Sequence, residues 1–198
     1  DRLHPTAASH DRVMTLEVMG RDAGHIALVS GIAGGADIIL IPEIPYQMKN
    51  IADKIQSLRE AGRNFALMVV SEAVGTETGE KAKIMDLEGR SRYGGISHHI
   101  ANRITELTGA ETRFTVLGHV QRGGQPSAQD RVLASVFGTH AVDLIAQGKF
   151  DRMVAWQNRH VVDVSIQQAI AGYQAVEIPC SLVETARGLG ICLRDENF

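Results

Sequence analysis

The chain has 198 residues and a mass of 21.4 kDa, enough for one domain or for one domain with a smaller lobe. Hydrophobic residues make up 44% and charged residues 22%, and a net charge of −3 provides no basic field for nucleic acid or anionic membrane. The longest apolar runs, at residues 38–41 and 65–70, are far shorter than the roughly 20 residues of a transmembrane helix. A globular protein is expected, with no nucleic acid and no membrane among its partners.

The first five predicted elements alternate apolar runs with helical patterns. A strand at residues 12–19 is followed by a helix at 22–34, and the continuous apolar run at 37–43 predicts a buried parallel strand. A helix with one apolar face follows at 48–62, and a third strand is predicted at 64–72. This alternation is typical of a parallel sheet with helical crossovers.

The middle of the chain continues the pattern after a glycine-bearing polar loop at 73–83. A helix is predicted at 94–109, and a fourth strand starts at Thr112. The apolar face of that helix is expected to consist of Ile96, Ile100, Ile104 and Leu107.

The last third predicts a helix at 127–148 and two short strands, at 152–157 and 160–166. The apolar positions of the helix include Val132, Val136 and Leu144. Taken together, the elements predict an α/β fold with a mainly parallel sheet.

The residues that follow three of the predicted strands include several polar side chains, at the edge where α/β sheets bind ligands. They are Met19, Gly20 and Arg21 after the first strand, Glu72 after the third, and His119, Gln121 and Arg122 after the fourth. Guanidinium groups suit a phosphate, and a carboxylate with an imidazole suits hydroxyl groups. The pattern favours a sugar phosphate as ligand, although each motif alone could be an ordinary turn or a solvated side chain.

The sequence MGRDAG at residues 19–24 predicts an anion site. Gly20 allows the backbone to approach a ligand closely, and the helix that follows is expected to present unpaired N–H groups. His98 and His99 could suggest a metal, but adjacent residues on a helix diverge by about 100° and no further ligand stands at zinc spacing. No metal site is predicted.

Three long segments resemble the signature segments of the 6-phosphofructokinase family: residues 17–28, 28–43 and 111–135. The similarity extends from residue 1 to about residue 190. Residues 79–104 further resemble the branch that uses either ATP or pyrophosphate as donor. The resemblance implies a three-layer, Rossmann-like lobe of the phosphofructokinase fold, with residues 1–126 as the fructose 6-phosphate-binding lobe. It implies that residues 127–198 form helices and strands that return to pack on it.

Members of this family are cytoplasmic glycolytic kinases that phosphorylate fructose 6-phosphate at its 1-hydroxyl, with Mg²⁺ and ATP or pyrophosphate as the donor. The residues expected to bind the sugar phosphate by this resemblance are Met19, Gly20, Arg21, Glu72, His119 and Arg122. Arg12 and Arg113 are expected to clamp the 6-phosphate in a neighbouring subunit, which implies a homo-oligomer, either a dimer or a tetramer.

The family's nucleotide-binding half, its catalytic base and its magnesium ligands have no counterpart in the sequence. Since the chain opens with Asp1 and shows neither a start methionine nor an export signal, it is interpreted as a fragment. The isolated chain is expected to contain no catalytic residue, to bind no cofactor and to be inactive. Cys180 and Cys192 are expected to be free thiols.

An effector site known from bacterial members of the family is only partly matched. Gly35, Asp37 and Arg63 fit that pattern, whereas His4 and Ala61 stand where basic residues are expected. Control by nucleotides or phosphoenolpyruvate is therefore not expected. Two alternatives remain open at this point: a fragment of a pyrophosphate-dependent phosphofructokinase, and a stand-alone, non-catalytic sugar-phosphate-binding module.

Overall fold

Four parallel strands form the main sheet of the computed structural model, which describes residues 2–85 and 91–193. Their order is β2 (Ile38–Leu40), β3 (Ala66–Ser71), β1 (Val13–Val18) and β6 (Thr112–Val116). In register, Val13 of β1 lies beside Ala66 of β3 and Thr112 of β6. The predicted α/β fold with a mainly parallel sheet is confirmed.

Helices cover both faces of this sheet and make it a three-layer arrangement. They are α1 (Leu3–Ser9), α2 (His25–Ala33), α3 (Met48–Glu60), α4 (Ile96–Thr108) and α7 (Ser181–Gly188). The side chains of α3 and α4 pack against alternate strand residues such as Met68 and Val70. Those of α2 and α7 pack with the residues between them, such as Val69. This two-residue alternation divides a continuously apolar strand between two cores.

A buried carboxylate fixes the start of α4 on the sheet. Glu17 of β1 is 3% exposed, and its Oε2 accepts hydrogen bonds from the backbone N–H of Ser97, at 3.1 Å, and from the Ser97 hydroxyl. A negative charge at a helix N-terminus satisfies amides that have no partner within the helix. Glu17 therefore positions the start of α4 against the sheet, where this helix leads into β6.

The predicted loop at 73–83 leads into a small antiparallel hairpin that the sequence analysis did not predict. Its strands are β4 (Lys83–Met85) and β5 (Ser91–Tyr93), with Lys83 paired to Tyr93. The segment 79–104, which resembles the ATP-or-pyrophosphate branch, includes residues 86–90, and these lie outside the described residues.

Contacts divide the chain into two units, Asp1–Gln121 with Ala175–Phe198, and Arg122–Gln174. The second unit consists of α5 (Ala128–Ala146), the antiparallel strands β7 (Arg152–Gln157) and β8 (His160–Ser165), and α6 (Ile166–Ile170). The sequence-based division after residue 126 concerns functional lobes and stays a prediction.

Two predicted apolar faces are shorter than the sequence indicated. In α4 the side chains of Ile96, Ile100 and Ile104 are fully buried, but Leu107 is 49% exposed. In α5 Leu144 is buried, whereas Val132 is exposed. Helical spacing identifies which residues share a face, but it does not show how far the neighbouring element extends along that face.

Candidate functional site

The turn after β1 is held by a carboxylate from the end of β3. Glu72 Oε1 accepts hydrogen bonds from the backbone N–H groups of Gly20, at 3.0 Å, and Arg21, at 2.9 Å. Gly20 is required because a Cβ there would lie 2.6 Å from the Ala23 carbonyl oxygen. Arg21 has a φ of +49°, which is uncommon for a residue with a side chain. The carboxylate thus stabilises a turn that places the Arg21 side chain in solvent.

A residue from the turn after β6 completes the arrangement. Gln121 lies in a short 3-10 helix, Gly118–Arg122, and its Oε1 accepts a hydrogen bond of 2.7 Å from the Met19 backbone N–H. Residues that follow the carboxyl ends of β1, β3 and β6 therefore meet at one edge of the sheet. This is the edge at which the sequence predicted a ligand site.

The backbone amides of this turn are bonded within the chain. The N–H groups of Met19, Gly20 and Arg21 donate to the side chains of Gln121 and Glu72. At the N-cap of α2 the Gly24 N–H likewise donates to Glu43 Oε1 at 2.9 Å. The expected anion site at the start of α2, which concerned the N–H groups of the helix itself, stays a prediction.

The structure brings together five of these residues in the first unit: Met19, Gly20, Arg21, Glu72 and Gln121. His119 belongs to the same 3-10 helix as Gln121 and is exposed.

Arg122 is the first residue of the second unit and is also exposed. Gln121 was noted in the sequence as a strand-end residue but was not predicted to bind the ligand.

A second polar group lies beside the same turn. Asp22 Oδ1 accepts a hydrogen bond from the Tyr93 hydroxyl and one of 2.9 Å from Lys81 Nζ, and Lys81 Nζ also lies 3.1 Å from the Tyr93 oxygen. The Tyr93 hydroxyl and Lys81 lower the pKa of Asp22, and Asp22 in turn raises the pKa of Lys81. Sequence reasoning missed this group because Lys81 and Tyr93 lie in and beyond a polar loop.

Arg12 and Arg113 are also brought together, but at the opposite edge of the sheet. Arg12 precedes β1 and Arg113 lies near the start of β6, and their guanidinium groups approach Glu111 Oε1 at 2.9 and 2.7 Å. Arg12, and Arg113 with it, lowers the pKa of Glu111. Because β1 has six residues, this pair lies about 20 Å from the Met19 turn at 3.3 Å per residue.

The three residues that match part of an effector site also lie near one another. Arg63 forms a bidentate ion pair with Asp37, at 2.8 and 2.6 Å, and the second Asp37 oxygen also accepts from the Leu67 N–H. Gly35 has a φ of +66° and lies beside His4, whose ring N–H donates to the Gly34 carbonyl. Asp37 therefore neutralises the charge of Arg63 within the chain.

Among residues 2–85 and 91–193, no three His, Cys, Asp or Glu side chains are arranged to hold a metal ion. Magnesium is therefore not assigned to any of these side chains. Cys180 and Cys192 form no disulfide with each other. No helix in the described ranges is long and apolar enough to cross a membrane.

Comparisons with known proteins agree with the resemblance noted in the sequence. The profile of the family described as Phosphofructokinase matches residues 1–145. ATP-dependent 6-phosphofructokinase 1 of Synechocystis sp. is 62% identical over 196 residues, which are 99% of this chain and 54% of that protein. ATP-dependent 6-phosphofructokinase 1 of Nostoc sp. is 60% identical over 98% of this chain and 54% of its own length. The chain thus spans about half the length of the curated relatives it matches.

Solved structures support the same fold. Phosphofructokinase from Saccharomyces cerevisiae superposes with a TM-score of 0.68 at 27% identity, covering 96% of this chain and 23% of that one. The pyrophosphate-dependent phosphofructokinase of Nitrosospira multiformis gives a TM-score of 0.73 at 21% identity, covering 98% of this chain and 51% of that one. At 21% identity the second likeness concerns the fold alone.

Proposed function

Because the chain belongs to the phosphofructokinase family, we propose that it supplies the fructose 6-phosphate-binding part of an ATP-dependent 6-phosphofructokinase. The reaction would transfer a phosphoryl group to the 1-hydroxyl of the sugar and give fructose 1,6-bisphosphate. The observation that carries the proposal is the meeting of Met19, Gly20, Arg21, Glu72 and Gln121 at the carboxyl edge of the sheet. Ligands of open α/β sheets bind at this edge.

Each residue has a role that follows from its chemistry. Arg21 and Arg122 would supply cations for the phosphorylated sugar, because a guanidinium presents several donors to phosphate oxygens. His119 would contact a hydroxyl group. Glu72 would hold the turn through Oε1 and accept a sugar hydroxyl through Oε2, while Met19 and Gly20 would line the site with their backbone.

Arg12 and Arg113 require a second chain to take part in the same site. They lie about 20 Å from the Met19 turn, which is farther than a hexose monophosphate can reach within one chain. We therefore propose a homo-oligomer, a dimer or tetramer, in which this pair clamps the 6-phosphate bound at the neighbour's turn. Glu111 is the counterion that the phosphate would replace.

ATP is the proposed donor because the relatives at 62% and 60% identity are named ATP-dependent. Since the chain spans about half of each of these relatives, the activity is proposed for the complete gene product, and residues 1–198 alone are proposed to be inactive. Mg²⁺ would accompany the donor. Phosphoryl transfer needs donor, metal and base positioned together.

Arg122→Ala in the complete gene product tests the proposal. Loss of a charged contact to phosphate is expected to raise the KM for fructose 6-phosphate by roughly 10- to 100-fold, with little change in the KM for ATP. Arg103→Ala serves as a matched control, because Arg103 lies on α4 in surface ion pairs with Glu77 and Glu106. An Arg122→Ala protein with unchanged KM and kcat would show that this residue does not bind the substrate.

A further inference from the structure

We propose that Asp22, Lys81 and Tyr93 form a clasp through which the β4–β5 hairpin keeps Arg21 available for the sugar phosphate. In this role Lys81 and Tyr93 are positioning residues that set the affinity for the phosphorylated acceptor without touching it. The inference rests on the proposed function, because it assigns the clasp a role at that same site.

The clasp converges on a single carboxylate oxygen. Asp22 Oδ1 accepts from both the Tyr93 hydroxyl and Lys81 Nζ, and Lys81 Nζ lies 5.2 Å from the centre of the Tyr93 ring. Lys81 lies at the base of the hairpin, where it forms an isolated bridge with Gly75, and Tyr93 closes the hairpin opposite Lys83. The two donors thus come from both arms of one element.

The chain from Glu72 to Tyr93 holds the turn after β1 at two places. Glu72, at its start, binds the backbone N–H groups of Gly20 and Arg21. The clasp residues follow in sequence and bind the side chain of Asp22, the next residue of the turn. Arg21, with its φ of +49°, lies between these two anchors. A residue in this disfavoured region keeps its conformation only when its surroundings impose it.

Charge gives the clasp a function beyond holding the backbone. Asp22 is the neighbour of Arg21 and would be the nearest counterion for its guanidinium. Lys81 and Tyr93 instead form the hydrogen bonds to this carboxylate, and in the described part of the chain no carboxylate oxygen lies within ion-pair distance of the Arg21 guanidinium, whose charge acts on Asp22 only weakly. An arginine whose charge is not already neutralised binds a phosphate more strongly. The hydrogen bonds from Tyr93 and Lys81 are the main causes of the lowered pKa of Asp22, and the charge of Arg21 makes the smallest contribution.

The contribution of the clasp to global stability should be small. The side chains of Lys81 and Asp22 are 41% and 40% exposed, and ion pairs at this exposure add little to the free energy of unfolding. A change of these residues is therefore expected to act on the turn and on substrate affinity more than on folding. This separates the clasp from an ordinary stabilising contact.

Steady-state kinetics of the complete gene product test the clasp through Lys81→Met and Tyr93→Phe. The KM for fructose 6-phosphate is expected to rise about five- to tenfold, with kcat and the KM for ATP within about twofold of wild type. Lys81→Arg should recover most of the affinity, because it keeps the charge and the donors. Lys83→Met is the matched control, since this exposed lysine lies two residues away and is not bonded to Asp22.

Hydrogen exchange provides a readout that does not depend on activity. The amides of residues 20–22 should exchange faster in Tyr93→Phe and Lys81→Met than in wild type, and Lys83→Met should leave them unchanged. Unchanged exchange, or an unchanged KM for the sugar, would overturn the proposal. A rise in the KM for both fructose 6-phosphate and ATP would also overturn it, if Lys83→Met produced the same rise.

The two proposals fail in different ways. A wild-type protein that phosphorylates no fructose 6-phosphate would overturn the proposed function and, with it, the role of the clasp in substrate affinity. Faster exchange in the clasp variants would in that case still identify the clasp as an anchor of the turn.

Discussion

The Glu72 carboxylate accepts hydrogen bonds from two consecutive backbone amides, and this decides how the turn can meet an anion. A free phosphate that approached the N–H groups of Gly20 and Arg21 would have to displace a carboxylate already bound there. Side-chain cations are then the groups left for phosphate recognition. The Arg21 side chain is exposed, and no carboxylate among the described residues forms an ion pair with its guanidinium.

At the same scale, Tyr46 is expected to make the stability of the protein fall at high pH. Burial, with a smaller contribution from Glu77, raises the pKa of Tyr46 from its ordinary 10.0 to about 12. Between these values the unfolded chain loses the phenol proton first, so the folded state binds more protons and the free energy of unfolding decreases as pH rises. At about pH 8 and below the effect is negligible.

Tyr46→Phe should remove this dependence. The hydroxyl is buried and has no hydrogen-bond partner in the described part of the chain, so the substitution leaves no group unpaired. Relative to wild type, the variant is expected to gain about 1 kcal/mol between pH 8 and pH 11, measured by urea unfolding. Tyr173→Phe is the control because Tyr173 is 66% exposed. Equal pH slopes for wild type and Tyr46→Phe would contradict the prediction.

Single residues also show where sequence reasoning reached its limit. Glu72 was predicted at a strand end, and the structure brings it to the Met19 turn. Its bonds to backbone amides 51 and 52 residues away, and the bond from Met19 to Gln121 across 102 residues, have no signature in local spacing. Composition and periodicity indicate a helix or a strand. They do not show which side chain of another element will accept hydrogen bonds from its unpaired N–H groups.

At the scale of elements, the close packing of α2 on the sheet is expected to be sensitive to added volume. A Cβ at Gly31 would lie 2.5 Å from two side-chain carbons of Ile39, which is fully buried. Gly31→Ala should therefore lower the free energy of unfolding by about 1–3 kcal/mol, because the surrounding core has to shift.

Gly138→Ala is the matched control for this prediction. Gly138 lies within α5, and a Cβ there would meet no atom of the described chain within 4 Å. Alanine should raise helix stability by about 0.5–1 kcal/mol at such a site. If both substitutions changed the urea midpoint in the same direction, close packing at Gly31 would not be the cause.

Elements with continuous apolar runs were predicted well. β3 was expected within residues 64–72 and spans Ala66–Ser71, because a strand buried on both faces is apolar throughout. The hairpin was missed because β4 and β5 have three residues each and their order depends on pairing, not on a core. Tyr93 of the clasp lies on this hairpin and Lys81 lies directly before it, so the same gap in prediction hid part of the candidate site.

For the whole molecule, the proposed sharing of residues between subunits can be tested by mixing two variants with weakened sugar binding, assayed at a fructose 6-phosphate concentration so low that each variant alone has little activity. Arg122→Ala removes a group from a chain's own site, and Arg113→Ala removes the group proposed to serve the neighbour. In a mixed two-fold dimer one site carries both defects and the other carries neither. A 1:1 mixture should recover about one quarter of wild-type activity, since half the dimers are mixed and each has one intact site.

If the subunits do not exchange, or if each site is built within one chain, the mixture contains no intact site and recovers no activity. Co-expression of the two variants with different affinity tags lets mixed dimers be isolated before assay. Isolated mixed dimers without activity would contradict donation of Arg113 across the interface. The matched control combines Arg122→Ala with Arg103→Ala, and that mixture should reach about half of wild-type activity if Arg103 is neutral.

The central position of β1 has a mechanical consequence for such an assembly. This strand is hydrogen-bonded to β3 on one side and to β6 on the other, so its backbone is held rigidly from one end to the other. The carboxyl end of β1 would contact the sugar bound by its own chain, and the amino end would contact the sugar bound by the neighbouring subunit. A closely packed strand transmits a displacement from one end to the other. Filling one site should therefore alter the affinity of the other, and the dependence of velocity on the concentration of the sugar should depart from a hyperbola.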